Sequence, residues 1–113
     1  MVEDWRSRGV VDDAKMRDYL LSPAHPLGRF KARFFNSCGF SHERLAEFEL
    51  ALLTHLREAA LVTTRPTEFG VKRVLHGPLR GPEGHVFLVR SVWFETGEGE
   101  PLRLVTAYPA RSS

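Results

Sequence analysis

The stretch "LVTTRPTEFGVKRVLHGPLRGPEGHVFLVRSVWFETGEGEPLRLVTAYPA", residues 61–110, decides the fold class. β-Branched and aromatic residues crowd its runs, and proline, glycine and glutamate gather between them. The runs "LVTTR", "GVKRVLHGPL", "HVFLVRSVWFET" and "LRLVTAYP" are broken at Pro66, at "RGPEG" and at "GEGEP". Connections this short make sequential strands antiparallel neighbours. The expectation is a four-stranded antiparallel meander over 61–110.

Upstream, the apolar period lengthens to that of a helix. "DDAKMRDYLLS" offers Asp12 or Asp13 as an N-cap, followed by Met16, Tyr19 and Leu20. In "RFKARFFNSCG" the residues Phe30, Phe34 and Cys38 fall at i, i+4 and i+8, and Gly39 supplies a left-handed stop. Ser41 then caps "HERLAEFELALLTHLREAA", in which Leu45, Phe48, Leu52, Leu56 and Ala59 form one stripe. Residues 13–60 are expected to be helical, with about 1–12 a flexible N-terminal segment. The whole of 1–113 then reads as a single α+β domain whose N-terminal helices pack on one face of the sheet.

Composition narrows the function classes. A chain of 113 residues can bury roughly two thirds of the surface its unfolded form exposes, enough for one core. No apolar run approaches the roughly 20 residues that span a bilayer. The start, "MVEDWRSRGVVDD", lacks the apolar segment of a secretory signal, which points to a cytoplasmic protein. Cys38 is the only cysteine, so it can form no internal disulfide and has no CxxC partner, in keeping with a reducing compartment. It is expected to be a buried helix residue.

The formal net charge is only +2, yet the isoelectric point is about 9.0 and the charges are segregated. Arg29, Lys31 and Arg33 put three cations in five residues, and Lys72, Arg73, Arg80, Arg90 and Arg103 lie in the strand-rich half. Acids gather on the helices and in the turn holding Glu95, Glu98 and Glu100. Such segregation permits a basic face that meets phosphate.

The chemistry is sought at "HPLGRFKA", residues 25–32. His25 precedes a helix start and Lys31 lies just inside it, where free N–H groups and the helix dipole favour an anion. Histidine exchanges a proton near neutral pH, and lysine balances charge developing on a phosphoryl oxygen. Thr106 and Tyr108, two apart on a strand, point to one face and add hydroxyl donors. The bland alternative has His25 capping a turn, Lys31 snorkelling and Tyr108 half in the core. Arg29 is a further candidate substrate contact. The register of the last hairpin decides whether Arg90 or Ser91 faces Thr106, Arg90 being the natural phosphate ligand. Trp93, inside an apolar strand, reads as core.

Other chemistries find no support. His42 and His55, thirteen residues apart on one helix, form no metal pair and are expected to face solvent. His76 and His85 flank a hairpin without a cysteine or aspartate at ligand spacing, so neither a metal site nor a cofactor is expected. GxGxxG, Walker A and GxSxG patterns are absent from the sequence.

The ordered set "KMRDYLLSPAHPLGRFKARFF", "EFGVKRVLHGPLRGPEG", "VRSVWF" and "RLVTAYP" resembles a family of small bacterial proteins known as a domain of unknown function. The layout of helices, then a four-stranded sheet, with an early His and Lys and a late Thr-x-Tyr, is similar to the barnase, EndoU, colicin and RelE class of toxin ribonucleases. That resemblance implies metal-independent RNA cleavage by the RNA's own 2′-hydroxyl, leaving a 2′,3′-cyclic phosphate and a 5′-hydroxyl. It casts His25 as general acid/base and Lys31 as charge stabiliser, with Thr106 and Tyr108 on the scissile phosphate or the 2′-oxygen. EndoU-type sites use two histidines, and here neither His76 nor His85 lies in a matching motif. A cognate antitoxin or immunity protein is the implied partner. The competing class is a non-catalytic module that binds protein or RNA.

Overall fold

A computed structural model describes residues 4–21 and 29–110. Three helices and a five-stranded mixed sheet form an α+β fold. In chain order come strand β1 (Gly9–Val10), helix α1 (Asp13–Lys15), helix α2 (Arg29–Ser37), helix α3 (Leu45–Glu58), and strands β2 (Ala60–Thr67), β3 (Gly70–Arg80), β4 (Val86–Glu95) and β5 (Leu102–Pro109). Helix α1 runs directly into a π-helical turn, Met16–Leu20.

Strands β2 to β5 pair as the antiparallel meander that their short connections require. The sheet order is β1-β5-β4-β3-β2, so the sheet gains a fifth strand: β1 lies parallel to β5, Gly9 opposite Leu102 and Val10 opposite Arg103. This corrects the four-stranded, all-antiparallel expectation. The reason lies in the N-terminal segment expected to be flexible. The Arg6 guanidinium donates to the carbonyls of Leu56, Arg57 and Ala59 at the end of α3, at 3.1, 3.3 and 2.7 Å, where a cation complements the helix dipole. Trp5 is held between Arg6 and Arg73, whose guanidinium carbons lie 4.8 and 4.6 Å from its ring centroid. Arg8 and Arg73 flank the buried Glu95 carboxylate at 2.9 and 3.1 Å. Burial pushes that carboxyl up, but the two guanidiniums outweigh it and hold it below the ordinary carboxylate value.

Pro66 lies inside β2 and does not end it. Strand β2 is the sheet edge, where a residue without an N–H costs no ladder bond. Helix α2 closes where expected: Gly39 takes φ +103°, and the Phe40 N–H returns to the Phe35 carbonyl at 3.1 Å. Its buried face is Ala32, Phe35 and, just past its end, Cys38, with Phe34 only half-buried. Burial raises the Cys38 thiol to about 11, so it is inert at neutral pH.

The core joins Phe35, Phe40, Phe48, Leu52 and Leu56 of the helical half to Leu75, Leu79, Val89, Trp93, Leu102, Leu104 and Ala107 of the sheet. Each of the β3 and β4 members is odd-numbered, as alternation demands when one face meets helices. The even-numbered face contributes nothing to that cluster. No helix among the described residues is long and apolar enough to cross a membrane.

Candidate functional site

Strand β5 changes parity inside the site. Trp93 pairs with Leu104, but Val92 pairs with Thr106, so Val105 is an extra residue that forms a bulge. Leu102 and Leu104 therefore face the core, whereas Thr106 and Tyr108 face the outer side of the sheet. Tyr108 pairs with Arg90, and Arg90 in turn with His76, so Tyr108, Arg90 and His76 form a row across three strands. The Arg90 Nε donates to His76 Nδ1 at 3.3 Å, which makes that nitrogen the acceptor.

Neither residue proposed opposite Thr106 is there; the bulge puts Val92 in that place. Ser91 points to the helix side and is fully buried. Its hydroxyl accepts from Trp93 Nε1 at 2.8 Å and donates to His55 Nδ1 at 2.8 Å, while His55 Nε2–H is shared by the carbonyls of Gly77 and Val89 at 3.1 and 3.0 Å. This set of partners fixes a neutral, Nε2-protonated imidazole, and it corrects both the solvent-facing expectation for His55 and the substrate contact for Ser91. Burial outweighs the two carbonyl bonds and pulls the His55 pKa below its ordinary value. His42, by contrast, is exposed. Trp93 is core, as its apolar strand implied.

The edge of β5 past Arg103 has no strand partner on its outer side among the described residues, and α2 packs against it. From α2 the Lys31 ammonium donates to Thr106 Oγ1 at 2.9 Å and to the Tyr19 hydroxyl at 2.8 Å. A lysine ammonium carries three donors, of which these bonds use two. Tyr19, on the π-helical turn, sits under two cations: Lys31 and Lys15 lie 4.9 and 5.1 Å from its ring centroid. The Lys31 hydrogen bond is the main reason that its phenol ionises below the ordinary tyrosine value. In the sequence Tyr19 is only one apolar step of a helix; its hydroxyl beside a lysine is a tertiary fact.

Lys31, Thr106, Tyr19, Tyr108, Arg90 and His76 are all half-buried. His25 lies outside the described residues, as does the side chain of Arg29. Among the described residues no group of three or more His, Cys, Asp or Glu side chains could hold a metal.

The face around these groups is one-signed. Its strand residues include Arg65, Lys72, His76, Arg90 and Arg103 and not one Asp or Glu. Asp12 pairs with Arg103 at 3.3 Å in an exposed contact. In low dielectric or near it, such a face draws anions.

The chain belongs to the family described as Domain of unknown function (DUF6883), whose model matches residues 2–111. No curated protein matches it. Among solved structures it is similar to a chain of the "Contact-dependent growth inhibition toxin - immunity protein complex from Klebsiella pneumoniae 342", with a TM-score of 0.73 over 96% of this chain and 98% of that one, at 19% identity. That likeness is one of fold.

Proposed function

We propose that this protein is a small toxin-like endoribonuclease that cleaves RNA without a metal, through a 2′,3′-cyclic phosphate. The observation that carries the reading is the Lys31 ammonium held between Thr106 and Tyr19 on a sheet face free of carboxylates. The similar fold in a toxin and immunity protein complex supports a toxin-like role, and the one-signed face favours the partner that meets a polyanion.

The reaction needs few parts. The ribose 2′-oxygen loses its proton to a base and attacks the adjacent phosphorus, and the 5′-oxygen leaves with a proton from an acid. In this reading His25 handles the proton, and Lys31 turns its third N–H toward the phosphoryl oxygens where charge grows. Thr106 and Tyr108 hold the phosphate or the 2′-oxygen, and Arg29 and Arg90 contact the flanking phosphates. The role of His25 rests on its chemistry and on its place six residues ahead of Lys31. His76, whose Nδ1 already accepts from Arg90, stands on the described face as the candidate second histidine. A cognate antitoxin or immunity protein of acidic surface would cover the same face, and the activity would be exerted in the cytoplasm.

Growth tests the reading. Induced alone in bacteria, the intact chain should arrest growth, and His25→Ala or Lys31→Met, expressed to the same level, should relieve the arrest. Equal growth with all three would favour a non-catalytic protein- or RNA-binding module.

A further inference from the structure

The sheet face that holds Thr106 and Tyr108 continues well past them. Four residues along β4 from Arg90, on the same face, stands Phe94, paired with Lys72 on β3, and Lys72 pairs with Arg65 on β2. Four strand residues cover about 13 Å, so one chain can touch both places. Phe94 is half-buried, and its ring lies over Gly70: a Cβ added there would come within 2.7 Å of it. Gly70 takes φ +146°, which a side chain rarely adopts, and a Cβ there would also meet the Glu95 carbonyl oxygen, so the position stays glycine and leaves room for the Phe94 ring beside it. Beside it Phe69, at the β2–β3 turn, is 74% exposed, the most exposed large apolar side chain among the described residues. Arg65 and Lys72 are exposed too.

None of these groups serves the core, and none belongs to the Lys31 centre. From this placement we infer that Phe94 and Phe69, flanked by Lys72 and Arg65, form a stacking subsite for unpaired bases of an RNA strand whose scissile phosphate lies at Lys31 and Thr106. The inference rests on the reading of that centre as a phosphodiester site. Aromatic faces stack any base, and cations alongside take the phosphates between them. A duplex, whose bases are already stacked, cannot use such a platform, so the subsite selects single strands or loops. An acidic protein partner would also bury the two phenyl rings, but the cations beside them and the continuity of this face with the Lys31 centre favour a nucleic-acid strand.

The test uses the full chain and a labelled single-stranded oligonucleotide with 2′-O-methyl riboses, which the proposed chemistry cannot cleave, read by fluorescence anisotropy. Phe69→Ala with Phe94→Leu should weaken binding roughly tenfold or more. An abasic oligonucleotide of equal length should bind wild type and variant alike. Removing Lys72 and Arg65 together should lower the slope of log affinity against log salt by about 1.4, about 0.7 for each phosphate released from a single strand. Phe69→Ala alone, at a turn, keeps the test valid if the double variant unfolds. Unchanged affinity in the aromatic variants, or equal affinity for a matched duplex, overturns the subsite. Cleavage of unmodified RNA, assayed in parallel, reports separately on the nuclease centre: lost binding without any cleavage spares the subsite and sinks the centre.

Discussion

Lys31 and Thr106, 75 residues apart in the chain, are joined by a hydrogen bond of 2.9 Å. The bond links the first helical turn of α2 to the edge of β5, and it forms because the Val105 bulge rolls Thr106 away from the core. Without the bulge, Thr106 would follow Leu104 to the helix side.

The tyrosine beside this lysine should titrate unusually. The chain has two tyrosines, and the Lys31 bond favours the phenolate of Tyr19. Ultraviolet titration should resolve one tyrosine that ionises below the ordinary value. Tyr19→Phe should remove that component, and Lys31→Met should move it upward; a component that survives both would place the perturbation elsewhere.

If the centre works as proposed, Lys31→Met should lower kcat/KM for RNA cleavage by about 10²- to 10³-fold, the loss typical of one charge-stabilising donor. Tyr108→Phe, which deletes a single hydroxyl, should retain the fold and lose less. Circular dichroism would confirm folding of both. Wild-type rates in Lys31→Met would remove the lysine from the chemistry.

Stability should fall on mild acidification because of His55. Its pKa is depressed in the folded state, so the unfolded chain binds the extra proton first. The His55 contribution is therefore complete above pH 6.5, the ordinary value, and is lost as pH falls from there toward the folded value. For one group the slope is at most about 1.4 kcal/mol per pH unit. Like-charge repulsion from His76 lowers the His55 pKa further. Urea melts of His55→Leu should be less stable at neutral pH and flatter between pH 6.5 and 5. An unchanged slope would contradict the buried neutral imidazole.

Glu95 ties the N-terminal segment to the sheet. Glu95→Leu leaves Arg8 and Arg73 facing each other without their carboxylate, and should cost about 3 kcal/mol. The same carboxyl is held low in the folded state, so its contribution is present above pH 4.5 and lost as pH drops below it. Denaturation at pH 7 and pH 3 should show the variant converging on wild type at the lower pH; a constant difference would mean that packing, not charge, dominates.

Period and turn chemistry carried most of the fold. Alternation in "HVFLVRSVWFET" put Val89, Ser91 and Trp93 on one face whatever the register, and the Phe48, Leu52, Leu56 stripe placed α3, although Ser41 caps a 3-10 turn, His42–Arg44, ahead of that helix rather than α3 itself. Long-range facts were not legible. A two-residue strand such as Gly9–Val10 has no period, and long-range contacts fix it there, Arg6 on the end of α3 and Arg8 on Glu95. His55 carries a signal, since it lies three residues past Leu52 on the buried stripe, whereas its spacing from His42 bears only on metal pairing and not on burial. Tyr19 and the bulge at Val105 needed partners 12 residues and a strand away.

The most direct test is to incubate purified protein with mixed-sequence RNA in EDTA, beside a His25→Ala control of equal thermal stability, and to read the product ends by mass spectrometry. The account predicts 2′,3′-cyclic phosphate and 5′-hydroxyl ends that vanish in the control. Intact RNA in both tubes, or 5′-phosphate ends that require added metal, would contradict it.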